Sequence, residues 1–279
     1  MTQMDLFGPA DDGPPPKPPG NRLTRLEVLV TVKAAPNPSE KYGETVCVAG
    51  LSTDLMNPGW VRLYPINVRA LDDDESFRKY DLISVDATPA AQDQRRESWR
   101  PRMTSMIKVR HLKPWKPRRA WVDPYVVDSM CELNRAAIEN ANAKSLGLVR
   151  PREVVGIRIK QHPGWTPEEQ RKIDGYVNQL DLFSEEERIP LQAPRFKVAY
   201  RYFCQDTKCR GHEQGLLDWE FVALQRRLRH LPDSELAGEL ESKFLTMMCD
   251  ASRDVAFYVG NQAKRAHVFS VLGVYYPGR

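Results

Sequence analysis

Cysteine is scarce in this chain of 279 residues: there are five, an odd number in no regular framework. That excludes a secreted disulfide scaffold and leaves reduced thiols or a metal site. No run approaches the roughly 18 apolar residues a membrane span needs, and the first residues are acidic and proline-rich where a signal peptide would be basic and then apolar. A cytoplasmic protein without a membrane partner is expected. The usual catalytic signatures are missing too. There is no GxSxG elbow, no P-loop, no HExxH and no paired CxxC with an HxE, so hydrolase, NTPase and zinc-deaminase readings lose their usual support. Charge is nearly balanced, with a net of +4, so the overall sum names no partner. Apolar residues make up 41% of the chain, enough to supply the core of two ordinary domains or one large one.

The order of segments predicts an α+β protein with a β-rich N-terminal module, a helical middle and a smaller α+β C-terminal module. Residues 1–22 read as a disordered proline-rich tail. Residues 23–122 form the β-rich module. Short β-type runs at Leu26 to Val32, Thr45 to Ala49, Trp60 to Tyr64 and Leu82 to Asp86 are bounded by turn residues, and Met103 to His111 reads as a further strand. Residues 123–190 are the helical middle and an exposed linker. A helix is expected from Asp123-Pro124, with Cys131 on its core face, and a strand from Glu153 to Lys160. Thr166 and Glu169 spell a capping box for a second helix reaching about Asn178. Residues 191–279 form the C-terminal module: a strand from Phe196, helices from Asp218 and from Ser234 (capped by Asp233 or Ser234), and strands at Val255 to Val259 and Val268 to Tyr275.

Three stretches carry possible chemistry. The first is basic and aromatic: Arg95, Arg96, Arg100, Arg102, Lys108, Arg110, Lys113, Lys116, Arg118 and Arg119, interleaved with Trp99, Trp115 and Trp121. Cations at this density neutralise phosphates, and indole faces stack on bases, so DNA contact is expected. The second is Cys204-x4-Cys209-x2-His212, whose soft donors suit tetrahedral Zn²⁺ but supply three of the four ligands a structural site needs. Candidates for the fourth are His230, Cys249, His267, Cys131, Cys47, a carboxylate from Asp206 or Glu213, or water. The third is a set of carboxylates. Asp218 and Glu220 open a helix, where capping is the plainer role, and Asp93 and Glu97 lie inside the basic segment. Either pair could hold a divalent metal or act as general base in a nuclease, though neither spacing is diagnostic.

One pentapeptide occurs nearly twice: Gln3-Met4-Asp5-Leu6-Phe7 and Gln179-Leu180-Asp181-Leu182-Phe183. QLDLF resembles the linear motif by which bacterial polymerases and repair proteins attach to the β sliding clamp, where the Leu and Phe bury in a cleft. The resemblance implies the clamp as a partner, with all ten residues as the contact; the N-terminal copy departs only in Met4 for Leu. A wider resemblance rests on Lys41-Tyr42-Gly43-Glu44-Thr45-Val46-Cys47, Gly59-Trp60-Val61-Arg62-Leu63-Tyr64-Pro65, Arg96-Glu97-Ser98-Trp99-Arg100-Pro101, Asp218-Trp219-Glu220 and Gly273-Val274-Tyr275-Tyr276-Pro277. These strings resemble a bacterial protein family to which no activity is attached. The expected function is a DNA-binding protein of replication, repair or phage defence recruited by the clamp. The alternatives are a nuclease or DNA glycosylase acting on modified or foreign DNA, and a non-catalytic regulator of the clamp.

Overall fold

From Thr24 onward, alternating aliphatic residues build strands whose two faces both find a core. They are β1 (Thr24–Lys33), β2 (Asn37–Ser39), β3 (Gly43–Ser52), β4 (Gly59–Asn67), β5 (Asp81–Pro89), β6 (Ser98–Pro101) and β7 (Ile107–His111). The computed structural model describes residues 14–54, 58–67, 77–178 and 188–279. β1 pairs with both β3 and β5, β3 with β4, β4 with β6, and β6 with β5, so five strands close into a barrel. All these contacts are antiparallel except β4 with β6. A five-strand closure with a parallel contact between its third and fifth strands is the topology of the OB-fold. β2 is added beside β3, and β7 follows β6 along the same edge of β5.

The period-2 pattern sorts the side chains. Val28, Val30, Val46, Val48, Leu63 and Ile83 fill the barrel, each completely buried. Burying such side chains contributes about 1.5 to 3 kcal/mol apiece. Their neighbours Leu29, Ala49, Leu51 and Trp60 face outward, yet they too are buried, against Leu146, Leu148, Tyr258 and Leu272 of the second half.

That half comprises α1 (Trp115–Val122), β8 (Val126–Val127), α2 (Met130–Glu139), β9 (Leu146–Val149), β10 (Pro151–Gln161), α3 (Pro167–Val177), β11 (Phe196–Cys204), β12 (His212–Gly215), α4 (Trp219–Arg227), α5 (Asp233–Glu241), β13 (Ala256–Gln262) and β14 (Arg265–Tyr275). One sheet runs β14-β13-β9-β8 and another β10-β11-β12. Tyr200, Tyr202, Phe257 and Val271 meet α4, α5 and the following π-helical turn Ser242–Met247 in the largest core cluster. The protein is a mixed α+β chain. Among the described residues no helix is long and apolar enough to cross a membrane.

Several details depart from the sequence reading. In the middle, β8 and β9, which were not expected, join the sheet of β13 and β14, while the strand expected from Glu153 to Lys160 forms as β10 and pairs along its length with β11. Helix α2 starts at Met130, where the Ser129 side chain accepts from the Glu132 N–H, while Asp123-Pro124-Tyr125 make only a 3₁₀ turn. α1 arises inside the basic segment, where no helix was expected. Asp233 does not cap α5; its carboxylate is drawn away by Arg195 and Gln161. Pro14 to Arg22, the end of the expected tail, lie against the barrel: Lys17 Nζ donates to the carbonyls of Asp93 (2.8 Å), Ala90 (3.3 Å) and Ser98 (3.4 Å). The Thr166 and Glu169 capping box forms as read. Both clamp-like pentapeptides lie outside the described residues.

Candidate metal centre and nucleic-acid interface

β11 ends on Cys204, β12 begins on His212, and the turn between them is tied by hydrogen bonds from the Lys208 N–H to the Asp206 carboxylate and from the Cys209 N–H to the Asp206 carbonyl. Gly211, at φ 96°, takes the left-handed conformation the turn requires and gives its N–H to Cys209 Sγ at 3.4 Å. Against this hairpin lies the first turn of α2, held by the Gln205 N–H to the Asp128 carbonyl and by Arg135 on Asp206. That turn delivers Cys131. Cys131 Sγ is 3.7 Å from Cys204 Sγ and 3.5 Å from His212 Nε2, and Cys209 Sγ is 3.3 Å from the same nitrogen. All four ligand atoms lie within 4.8 Å of one another.

A tetrahedral ion with Zn–S of about 2.3 Å and Zn–N of about 2.0 to 2.1 Å places sulfurs about 3.8 Å apart, and sulfur and nitrogen about 3.6 Å apart. The cluster matches that spacing and could hold a metal such as zinc. Burial opposes ionisation of Cys204, but hydrogen bonds from the Cys131 backbone and His212 hold its thiol down at about 6. Burial and the neighbouring Cys204 push Cys131 up to about 12. A bound cation would stabilise the thiolate forms of cysteines gathered in so small a space. Cys131, one of the candidates for fourth ligand, packs against the core as expected and also lies beside the other three possible ligands. Of the other candidates for fourth ligand, Asp206 binds Arg135 and Glu213 binds Arg158.

The basic segment divides. Arg95 chelates Asp93 and donates to the Asn261 carbonyl, and Arg96 donates to the Pro14 carbonyl. Arg118 lies over the Tyr80 ring at 4.1 Å, Arg119 pairs with Asp123 and Asp254, and Lys108 approaches Asp81 at 3.6 Å. Trp115 packs edge-on against Tyr80, Tyr275 and Tyr276; Trp121 joins the inter-half core, and Trp99 packs against the barrel core. Arg100, Arg102, Arg110, Lys113 and Lys116 are exposed and make no ion pair among the described residues. Arg100 and Arg110 lie in β6 and β7, which pair with the same edge of β5, while Arg102 follows β6, Lys113 precedes α1 and Lys116 lies within it.

The four candidate carboxylates are all engaged. Burial would raise Asp93, but the Arg95 guanidinium overrides it and holds the carboxyl at about 2. Glu97, 1% exposed, accepts from the Ser145 N–H at 2.7 Å, while its other oxygen and the nearby Arg62 Nε are buried without a hydrogen-bond partner. Asp218 caps α4 and takes Lys79 Nζ on both oxygens, and Glu220 lies 3.7 Å from the same ammonium. An ammonium thus sits where a nuclease would need its metal. Three further groups gave no sequence signal: Lys79; Arg62, buried and bonded to the Ser145 carbonyl and hydroxyl; and His111, whose Nδ1 meets the fully buried Asp81 at 2.6 Å.

A barrel of OB topology, with its outward face sealed by a sheet whose half bears a Cys₃His cluster, defines the class of protein. The chain belongs to the family described as Domain of unknown function (DUF8757), whose model matches residues 126–279. Residues 24–124 match a second model, Domain of unknown function (DUF8758). No curated protein matches the chain.

Proposed function

We propose that this is a DNA-binding protein of replication, repair or phage defence, with one structural zinc ion and recruitment by the β sliding clamp. The observation that carries DNA binding is the set of five exposed cations without ion pairs among the described residues, Arg100, Arg102, Arg110, Lys113 and Lys116. Phosphates supply the charge that this edge lacks. OB barrels often bind oligonucleotides across their second and third strands, an analogy of fold alone. Here the outward Leu51 and Trp60 of those strands are buried against the second half, so the β6–β7 edge is the surface left for the ligand. The test is DNA affinity as a function of salt. Affinity should fall steeply with salt, and replacing the five cations with glutamine should flatten the slope; a salt-independent affinity, or an unchanged slope in the variant, overturns the reading.

Four protein ligands make the zinc structural, since a catalytic ion keeps a position open. Clamp recruitment rests on the two pentapeptides. A clamp pull-down with Leu6, Phe7, Leu182 and Phe183 changed to alanine should lose the clamp, and undiminished retention removes this part. One observation favours an enzyme acting on DNA: Asp81 orients His111 beside Arg110, the arrangement of a general base. Strand scission or abasic sites lost in His111→Ala would support it, and intact DNA after long incubation with Mg²⁺ or Mn²⁺ would not.

A further inference from the structure

A cavity of about 510 Å³ lies between the Pro14–Pro18 segment and one end of the barrel. Its volume is in the range of small-molecule sites, about 300 to 1,000 Å³. The walls include Trp60, Trp99 and Leu23, with Leu23 44% exposed. Arg22 and Glu27 are exposed at its margin, and neither makes an ion pair among the described residues. The proline wall is pinned by Lys17 on three carbonyls and by Arg96 on the Pro14 carbonyl. Trp99 is followed by Arg100 in β6 and by Arg102 just after it, two of the cations without an ion pair among the described residues.

We propose that this cavity receives one unstacked base of a single-stranded nucleic acid whose phosphates lie along Arg100 and Arg102; the inference rests on the DNA-binding reading above. An indole wall gives a base a stacking face regardless of its identity. The Glu27 carboxylate accepts from an exocyclic amine, and Arg22 meets the adjoining phosphate. A duplex, whose bases are stacked and paired, presents nothing that enters.

Fluorescence anisotropy on the full chain tests this with two labelled single strands of equal length, one of deoxycytidines, which carry an exocyclic amine, and one of abasic residues. The base-bearing strand should bind roughly 5- to 160-fold more tightly, the increment of one base stacked on an aromatic ring. Thr24→Trp, which adds an indole at the cavity wall, should reduce that preference and leave abasic-strand affinity unchanged. Trp99→Leu serves as the second variant, with its melting temperature checked because Trp99 also touches the barrel core. Equal binding of the two strands by the unaltered protein, or a preference that persists undiminished in folded Thr24→Trp, overturns the site while leaving the phosphate-binding edge intact. Failure to bind either strand while duplex DNA still binds overturns this site alone, and failure to bind single-stranded and duplex DNA overturns the DNA-binding reading with it.

Discussion

Lys79 Nζ donates to both oxygens of Asp218, at 3.0 and 2.8 Å, from opposite sides of the boundary between the two family matches. The pair is nearly removed from solvent, with side chains 11% and 1% exposed. Burial favours the neutral amine, but Asp218 and Glu220 outweigh it and keep Lys79 charged. Lys79→Met leaves the Asp218 carboxylate buried without its partner and should cost about 3 to 5 kcal/mol in urea denaturation. Lys79→Met with Asp218→Asn should recover part of that loss, because asparagine keeps the helix cap without the charge. Equal losses in both would show that the pair is not coupled.

Gly273 sits against the same pair. A Cβ there would lie 3.1 Å from Asp218 Oδ2 and 3.3 Å from Lys79 Nζ, tighter than ordinary contact. Gly273→Ala should therefore lower the melting temperature, and the effect should shrink in the Lys79→Met, Asp218→Asn background. An equal drop in both backgrounds would place the strain elsewhere.

The metal cluster predicts about one zinc per chain in protein purified without a histidine tag. Cys131→Ser should lower zinc content and make the protein as unstable as chelator treatment does, whereas Cys249→Ser, outside the cluster, should do neither. Full zinc in Cys131→Ser would remove Cys131 from the ligand set.

Asp93 supplies a pH dependence. Its carboxyl is held at about 2, below the ordinary 3.8, so the folded state binds its proton less readily than the unfolded chain. The stability it contributes is complete above about pH 4 and disappears as pH falls through about 2. The difference in unfolding free energy between the unaltered protein and Asp93→Asn should therefore narrow over that interval. A difference that stays constant would mean that Arg95 does not act on the Asp93 charge.

The barrel strands were legible because Val28, Val30, Val46, Val48, Ile83 and Val85 repeat at period two, a local signal. The α3 cap was legible for the same reason, since Thr166 and Glu169 lie within one turn. Cys131 was not, because 73 residues separate it from Cys204 and no spacing rule reaches that far. Proline at position 124 signalled a helix start, but the side chain that caps a full helix is Ser129. The basic run was read as one face. It divided because Asp81, Asp93, Asp123 and Asp254 claim Lys108, Arg95 and Arg119, three of those partners lying outside the run itself. Lys79 stands in no motif and Arg62 only in a string that carries no chemistry, and the approach of the two halves gives both their partners.

The outward residues of the barrel have a consequence for anyone who would express its halves separately. Leu29, Leu51 and Trp60 on one side, and Leu148, Tyr258 and Leu272 on the other, are covered only while both segments are present. Cutting the polypeptide near residue 125 would leave each piece with a sticky wall, prone to self-association. The two stretches match separate family models, but each covers an apolar wall of the other.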